Sequence, residues 1–134
     1  MPVDLTYYFL DIFDEKDIDS FKNCALIRED RILGNVHLDV AIKYVTENFE
    51  TGKSISKSIW NEILLYLSLQ RQVHKAFGMV GVKGYSGRVV KVENSNSRMD
   101  PPIIEITDSK KNYWKVKSVE QLLERMAIFH IENY

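Results

Sequence analysis

The run IWNEILLYL, residues 59 to 67, restricts the fold of this chain more than any other stretch. It predicts a helix that is apolar on nearly all sides, because only Asn61 and Glu62 interrupt the apolar residues. A helix without a wide polar face has to be covered by other elements. We therefore expect the central helix of the core here, beginning near Ser54 or Ser56, either of which can cap it, and running through Leu67.

The sequence before this central helix predicts two strands and two more helices. The strands are rich in aromatic and apolar residues, and the longer helix shows apolar residues at three- and four-residue spacing. The predicted elements are a strand over 5–13, a short helix over 15–23 capped by Asp14, a strand over 24–29, and a helix from Asn35 or His37 that Gly52 ends.

The sequence after the central helix predicts further strands and a closing helix. The predicted elements are strands over 88–93 and 103–107, a turn over 108–112, a possible strand over 113–117, and a helix from Ser118. No strand–helix–strand repeat of the kind that builds parallel sheets occurs in this order. The order therefore predicts an α+β fold with a largely antiparallel sheet packed against helices.

Length and composition predict one compact domain that spans residues 1–134. With 134 residues, of which 45% are apolar, the chain can bury roughly two-thirds of its unfolded surface. No apolar run reaches the roughly eighteen residues of a membrane helix, and the N-terminus carries acids where a signal peptide carries bases. We therefore expect a cytoplasmic protein that does not contact a membrane.

The sequence predicts no metal site, no cofactor and no catalytic group. The single cysteine, Cys24, excludes an internal disulfide, and no cluster has metal-ligand spacing. The glycine-rich stretch over residues 78–87 resembles a phosphate-binding loop, but it leads into a strand instead of opening a helix. The histidines are isolated from one another along the sequence: His37, His74 and His130. These observations predict a protein that is not an enzyme.

Charge is distributed unevenly along the chain. Residues 1–50 hold eleven acids against five bases, whereas residues 51–92 hold seven bases against the single acid Glu62. The middle segment is therefore strongly positive, although the net charge of the whole chain is −1. Such a segment is typical either of a contact with an anion or nucleic acid, or of ordinary solvated lysines.

The stretch LSLQRQVHKAF, residues 67 to 77, places several of these bases behind the central helix. At about 100° per residue, an unbroken helix gathers six polar residues in one sector: Lys57, Asn61, Ser68, Arg71, Gln72 and Lys75. If the helix instead breaks near Ser68 to Gln70, Arg71 and Gln72 lie in the first turn of a new helix, whose free amides favour anions. Both arrangements suit phosphates and base edges, and a solvent-facing stripe explains the pattern equally well.

The run over residues 54–83, with the helix before it, resembles the kinase-binding subunit of the KEOPS complex, which installs threonylcarbamoyl on the adenosine beside the tRNA anticodon. In that family, a serine-started helix with an interior glutamate precedes a small residue, then Arg-Gln-Ile, an alanine and a downstream Gly-Val. The matching residues here are Ser58, Glu62, Ser68, Arg71, Gln72, Val73, Ala76, Gly81 and Val82. Many archaeal relatives have glycine where this chain has Leu69, and this departure speaks against a sharp break between the two helices.

The resemblance implies a non-catalytic adaptor of mixed α/β fold and of the archaeal type. Such an adaptor binds the small atypical kinase of the complex and holds substrate tRNA by its single-stranded CCA tail. Unpaired nucleotides need phosphate contacts, donors to base edges and apolar surfaces, which agrees with the positive middle segment. The expected tRNA-binding residues are Lys57, Arg71, Gln72, Lys75 and Lys83.

The expected kinase surface is a different, apolar one on the closing helix. Ile128 and Ile131 fall outside the core stripe of that helix, and Phe129 lies between them. The competing assignment places both isoleucines in the core. Two other functions stay open, namely a protein-only scaffold without RNA binding and a small-anion-binding regulatory domain that uses the glycine-rich turn.

Overall fold

A three-stranded antiparallel sheet forms one side of the core. The structure is a computed structural model that describes residues 4–10, 22–95 and 100–133. The strands are β1 (Leu5–Leu10), β2 (Cys24–Arg28) and β3 (Val89–Asn94), in the spatial order β1–β3–β2. In the central strand, Val92 lies opposite Tyr7 of β1 and Ala25 of β2, and all three side chains are buried in the core.

Helices supply the rest of the described fold. They are a 3-10 turn (Glu29–Arg31), α1 (Gly34–Thr51), α2 (Ile59–Ser68), α3 (Val73–Val80), α4 (Asp108–Trp114) and α5 (Val119–Glu132). α2 packs against α1, α3, α5 and β2. The predicted α+β class with an antiparallel sheet is therefore confirmed.

α2 is the predicted central helix. Its residues from position 62 to position 68 are all buried, which confirms that the apolar run lies inside the protein. The helix begins at Ile59, later than the predicted start near Ser54 or Ser56. The reason is the cap, because Ser58 Oγ accepts a hydrogen bond from the backbone N–H of Asn61 at 3.3 Å.

Two other predicted helix ends are confirmed. Gly52 follows α1 with a φ of +70°, a left-handed conformation that glycine adopts without the steric cost of a side chain. At the start of α5, Ser118 Oγ accepts a hydrogen bond from the N–H of Gln121 at 3.4 Å. Local capping thus sets both boundaries where the sequence predicted them.

The predicted strand over residues 103–107 is wrong. These residues are not part of the sheet, and the side chain of Asn35 bonds to the backbone at the start of the segment. Asn35 Nδ2 donates to the carbonyl of Pro102 at 2.6 Å, and Asn35 Oδ1 accepts from the N–H of Ile104 at 2.8 Å. The segment is therefore held to the start of α1 and buries Ile104 in the core.

The predicted turn over 108–112 and the predicted strand over 113–117 are also wrong, since α4 occupies most of these residues. Thr107 Oγ1 caps that helix by accepting a hydrogen bond from the N–H of Lys110 at 3.2 Å. Trp114 at its end is buried, and its Nε1 donates to the carbonyl of Arg31 at 3.0 Å. Contacts to a distant part of the chain thus favour helix here.

The remaining strand predictions agree with the structure where it describes the chain. β1 covers residues 5–10 of the first predicted strand, β2 covers most of the second, and β3 follows the glycine-rich turn. Residues 11–13 and most of the predicted helix over 15–23 lie outside the described residues. The last two positions of that stretch, Lys22 and Asn23, are described and are not helical.

Candidate functional site

The chain turns sharply between α2 and α3. Leu69 has a φ of +58°, in the left-handed region, and its N–H donates to the carbonyl of Leu65. Ser68 is buried, and its Oγ donates to the carbonyl of Leu64 at 2.7 Å. The unbroken helix, and with it the single polar stripe, is therefore wrong, and the break near residues 68–70 is confirmed. The expectation that Leu69 in place of glycine speaks against a sharp break is also wrong, because Leu69 itself adopts the left-handed conformation.

The residues after this break form an exposed corner. Four polar side chains are exposed there: Arg71, Gln72, His74 and Lys75. Arg71 and Gln72 precede α3 instead of lying in its first turn, and the Gln72 side chain makes no capping hydrogen bond. We call residues 69–75 the α2–α3 corner. It presents two bases, an amide and an imidazole to solvent within a short stretch of chain.

One acid approaches the α2–α3 corner. Glu132, the last residue of α5, places Oε2 at 3.6 Å from Arg71 Nη2, and both side chains are 59% exposed. An exposed pair of this kind contributes about 1 kcal/mol or less, because water screens it. The guanidinium therefore stays available to a phosphate, which it can bind through two parallel hydrogen bonds.

Lys57 lies at the opposite end of α2 from the α2–α3 corner. The ten residues of α2, at about 1.5 Å per residue, separate the two ends by about 15 Å. Buried Glu62 holds the loop before α2, because its carboxylate accepts hydrogen bonds from the N–H groups of Ile55 at 2.9 Å and Ser56 at 2.7 Å. This glutamate positions the loop that carries exposed Lys57, while exposed Lys83 follows α3.

The two isoleucines predicted for a kinase surface are exposed on α5. Ile128 is 56% exposed and Ile131 is 74% exposed, which excludes the competing assignment to the core. Phe129 between them is only 7% exposed, and its ring packs edge-on against Tyr66 with centroids 5.1 Å apart. Phe129 therefore anchors the helix from inside the core, and of these three residues only the isoleucines are exposed.

Other candidate chemistry in the described residues is used within the fold. A cavity of about 370 Å³ lies between the 3-10 turn and α4, but its Lys110 Nζ already contacts Glu29 Oε1 at 2.7 Å and the carbonyl of Glu105 at 2.6 Å. No group of His, Cys, Asp and Glu side chains within the described part of the chain could hold a metal ion. None of the helices in this described part could span a membrane.

Comparison with known proteins places this chain in a family. The model of the family described as kinase binding protein CGI-121 matches residues 12–130, which is most of the chain. The chain belongs to the CGI-121 family. A relative, the regulatory protein Cgi121 of Methanocaldococcus jannaschii, is 28% identical over 101 residues, which cover 63% of this chain and 70% of the relative. The predicted resemblance is confirmed, and the CGI-121 match includes the whole α2–α3 corner.

Two features of the site were not predicted from the sequence. Glu62 was matched as part of a motif, but its contacts to the N–H groups of the preceding loop appear only in the structure. The approach of Glu132 to Arg71 was not predicted either. A glutamate inside an apolar helix is a signal for the first, since a buried carboxylate needs hydrogen-bond donors. No local signal exists for the second.

Proposed function

We propose that this chain is a non-catalytic, archaeal-type subunit of the KEOPS complex that binds the small atypical kinase and holds substrate tRNA by its CCA tail. In this role it serves threonylcarbamoyl-adenosine formation in the cytoplasm without a cofactor of its own. Membership of a kinase-binding family supports the kinase contact. The α2–α3 corner is the observation that carries the tRNA contact.

The corner suits a single strand for three physical reasons. Arg71 and Lys75 are exposed bases that can neutralise successive phosphates, and exposed Gln72 can donate to or accept from a base edge. Their backbone is fixed by the turn at Leu69 and by packing of α3 on α2, so little order has to be created on binding. The proposed contact is therefore preformed.

Charge reversal tests the tRNA contact. The Arg71→Glu, Lys75→Glu double variant should bind tRNA more weakly and with a smaller salt dependence, since each lost phosphate contact removes roughly 0.7 from the slope of log affinity against log salt. The measurement is fluorescence anisotropy of labelled tRNA at several salt concentrations. Lys43→Glu, Lys117→Glu is the matched control, because both lysines are exposed and lie outside the α2–α3 corner. Unchanged affinity and slope in the corner variant would refute the assignment.

Removal of the tail tests which part of the tRNA is bound. A tRNA that lacks its terminal CCA should bind this chain much more weakly than the intact molecule, because the unpaired nucleotides are the proposed contact. Equal affinity for the two RNAs would move the contact to the body of the tRNA.

A protein-only scaffold is the second candidate. The exposed pair Ile128 and Ile131 favours it, since apolar side chains at this exposure fit a protein partner and explain nothing about RNA. Kinase binding by a chain that shows no affinity for tRNA would establish this alternative. A small-anion-binding domain has no comparable observation in its favour.

A further inference from the structure

α3 presents one exposed face next to the α2–α3 corner. Its exposed residues are His74, Lys75, Phe77 and Gly78, whereas Ala76 and Val80 are buried against the core. At about 100° per residue, Phe77 and Lys75 lie at the two margins of this face, with His74 and Gly78 between them. The face is therefore aromatic on one side and cationic on the other.

Phe77 is exposed, and its ring lies close to Gly81. Its residue surface is 47% exposed, which is unusual for phenylalanine in a folded domain. A Cβ placed on Gly81 would approach the Phe77 carbonyl oxygen to 2.6 Å and the ring Cδ1 to 3.0 Å. Gly81 has a φ of −72°, which any residue adopts, so glycine is needed here for the close approach of Phe77.

Gly78 leaves the middle of this face open. Apart from its chain neighbours and the backbone of its own helix, a Cβ at this position would meet no atom within 4 Å, and Gly78 is not among the glycines with positive φ. Neither packing nor backbone conformation therefore requires glycine at position 78. Glycine inside a helix costs about 0.5–1 kcal/mol relative to alanine, so the fold alone would favour a larger residue. Gly78 is exposed and follows Phe77 on this face, so no side chain at position 78 covers the surface there.

We infer that Phe77 and Gly78 form a platform on which an unpaired nucleobase of the bound RNA stacks. The inference rests on the proposed function. It adds a contact to a nucleobase, which the positively charged side chains alone do not make. Proteins that hold single-stranded nucleic acid combine basic side chains, which contact the phosphates, with aromatic side chains, on which the nucleobases stack. On this face, Lys75 supplies the first component and Phe77 the second.

Phe77→Ala tests the aromatic half of the platform. It should weaken tRNA binding about fivefold or more, the effect of losing one stacked base. The salt slope should stay unchanged, because no phosphate contact is lost, whereas Arg71→Glu lowers both affinity and slope. Ile103→Ala is the control, since it removes another exposed apolar side chain from a different segment, and its affinity should equal that of the unaltered chain.

Substitution of Gly78 separates binding from folding. Gly78→Ala should raise the thermal midpoint, because alanine favours helix. Gly78→Leu should also fold, yet it fills the open space and should weaken tRNA binding about fivefold or more. A folded Gly78→Leu variant that binds tRNA as the unaltered chain does would overturn the platform.

An abasic nucleotide placed in turn at each CCA position identifies the stacked base. At one position, the abasic nucleotide should weaken binding by the unaltered chain as much as Phe77→Ala weakens binding of intact tRNA. Combining that abasic nucleotide with Phe77→Ala should then cause no further loss of affinity. Additive losses at all three positions would overturn the platform, as would a Phe77→Ala variant that loses kinase binding and keeps tRNA binding. If the unaltered chain binds no tRNA, the proposed function and this inference fail together, whereas normal binding by Phe77→Ala overturns the inference alone.

Discussion

At the scale of single residues, His37 joins two helices through a buried imidazole. Its Nδ1 accepts a hydrogen bond from the N–H of Leu33 at 3.0 Å, and its Nε2 lies 3.2 Å from the carbonyl of Leu67. The ring is therefore neutral with the proton on Nε2. Burial lowers the pKa of His37 from its ordinary 6.5 to about 4, and the bond to the Leu67 carbonyl offsets only part of this effect.

This buried histidine predicts acid destabilisation. Between pH 6.5 and about 4, the unfolded chain binds a proton at this position and the folded chain does not, so the free energy of unfolding falls as pH falls. Over this whole pH range, the free energy of unfolding falls by about 3 kcal/mol. Urea titrations at pH 7.5 and pH ~4.5 should show that the stability difference between the unaltered chain and His37→Gln shrinks by most of this amount. Parallel pH curves for the two proteins would contradict the prediction.

Removal of the Glu132 charge should change tRNA affinity in the opposite direction from charge reversal at Arg71 and Lys75. Glu132→Gln removes the acid that pairs with Arg71 at 3.6 Å, so Arg71 no longer has to exchange one anion for another. We expect tRNA affinity to rise by up to about fivefold, the limit set by an exposed ion pair. Glu124→Gln removes the same charge from an exposed position on the same helix and serves as control. Weaker binding of tRNA by Glu132→Gln alone would show that this acid supports the site.

At the scale of elements, the turn between α2 and α3 depends on an unusual backbone conformation. Leu69 adopts a φ of +58°, although leucine has no preference for this region. Its side chain is partly buried against the core, which compensates for part of the steric cost. Burial of the helices on both sides thus selects a turn that leucine by itself does not favour.

At position 69, glycine should give a more stable protein than alanine, which reverses their usual order. Leu69→Ala loses the apolar contact and keeps the left-handed strain, whereas Leu69→Gly loses the contact and relieves the strain. Because left-handed backbone costs a residue with a side chain about 1–2 kcal/mol, Leu69→Gly should be the more stable variant by about 1 kcal/mol. Urea denaturation of both variants measures the difference. Greater stability of Leu69→Ala would show that the turn relaxes when the leucine is removed.

At the scale of the whole molecule, two surfaces meet at the C-terminal end of α5. Ile128 and Ile131 are exposed on that helix, and Glu132 reaches from its last turn to Arg71 of the α2–α3 corner. Phe129 and Tyr66 hold the helix against α2 from the inside. The predicted kinase surface and the predicted tRNA surface are therefore neighbours.

The double variant Ile128→Glu, Ile131→Glu should fold normally and bind the kinase poorly. Substitution of exposed residues changes stability by about 0.5 kcal/mol or less, whereas loss of an apolar anchor from an interface typically costs more than about 2 kcal/mol. Circular dichroism checks the fold, and co-purification with the kinase checks binding. Ile103→Glu makes the same change at an isoleucine that is 83% exposed elsewhere and should bind normally. Full kinase binding by the double variant would exclude these residues from the interface.

Features that depend on neighbours along the chain could be predicted before the fold was known. The apolar run over 59–67 predicted the buried helix α2, Gly52 predicted the end of α1, and Ser118 predicted the start of α5. Periodicity and capping act within one or two turns of a helix, so a reader of the sequence has all the partners in view. The concentration of bases over residues 51–92 is of the same kind.

Features whose partners are distant in sequence became visible only in the folded chain. Residues 103–107 look like a strand but bond to the side chain of Asn35, 69 positions before Ile104, and residues 108–112 look like a turn but form α4. The break at Leu69 and the pairing of Arg71 with Glu132 likewise follow from how helices pack. Hydrogen bonds and burial gained across the fold outweigh local preferences of about 1 kcal/mol, so local patterns could not reveal these arrangements.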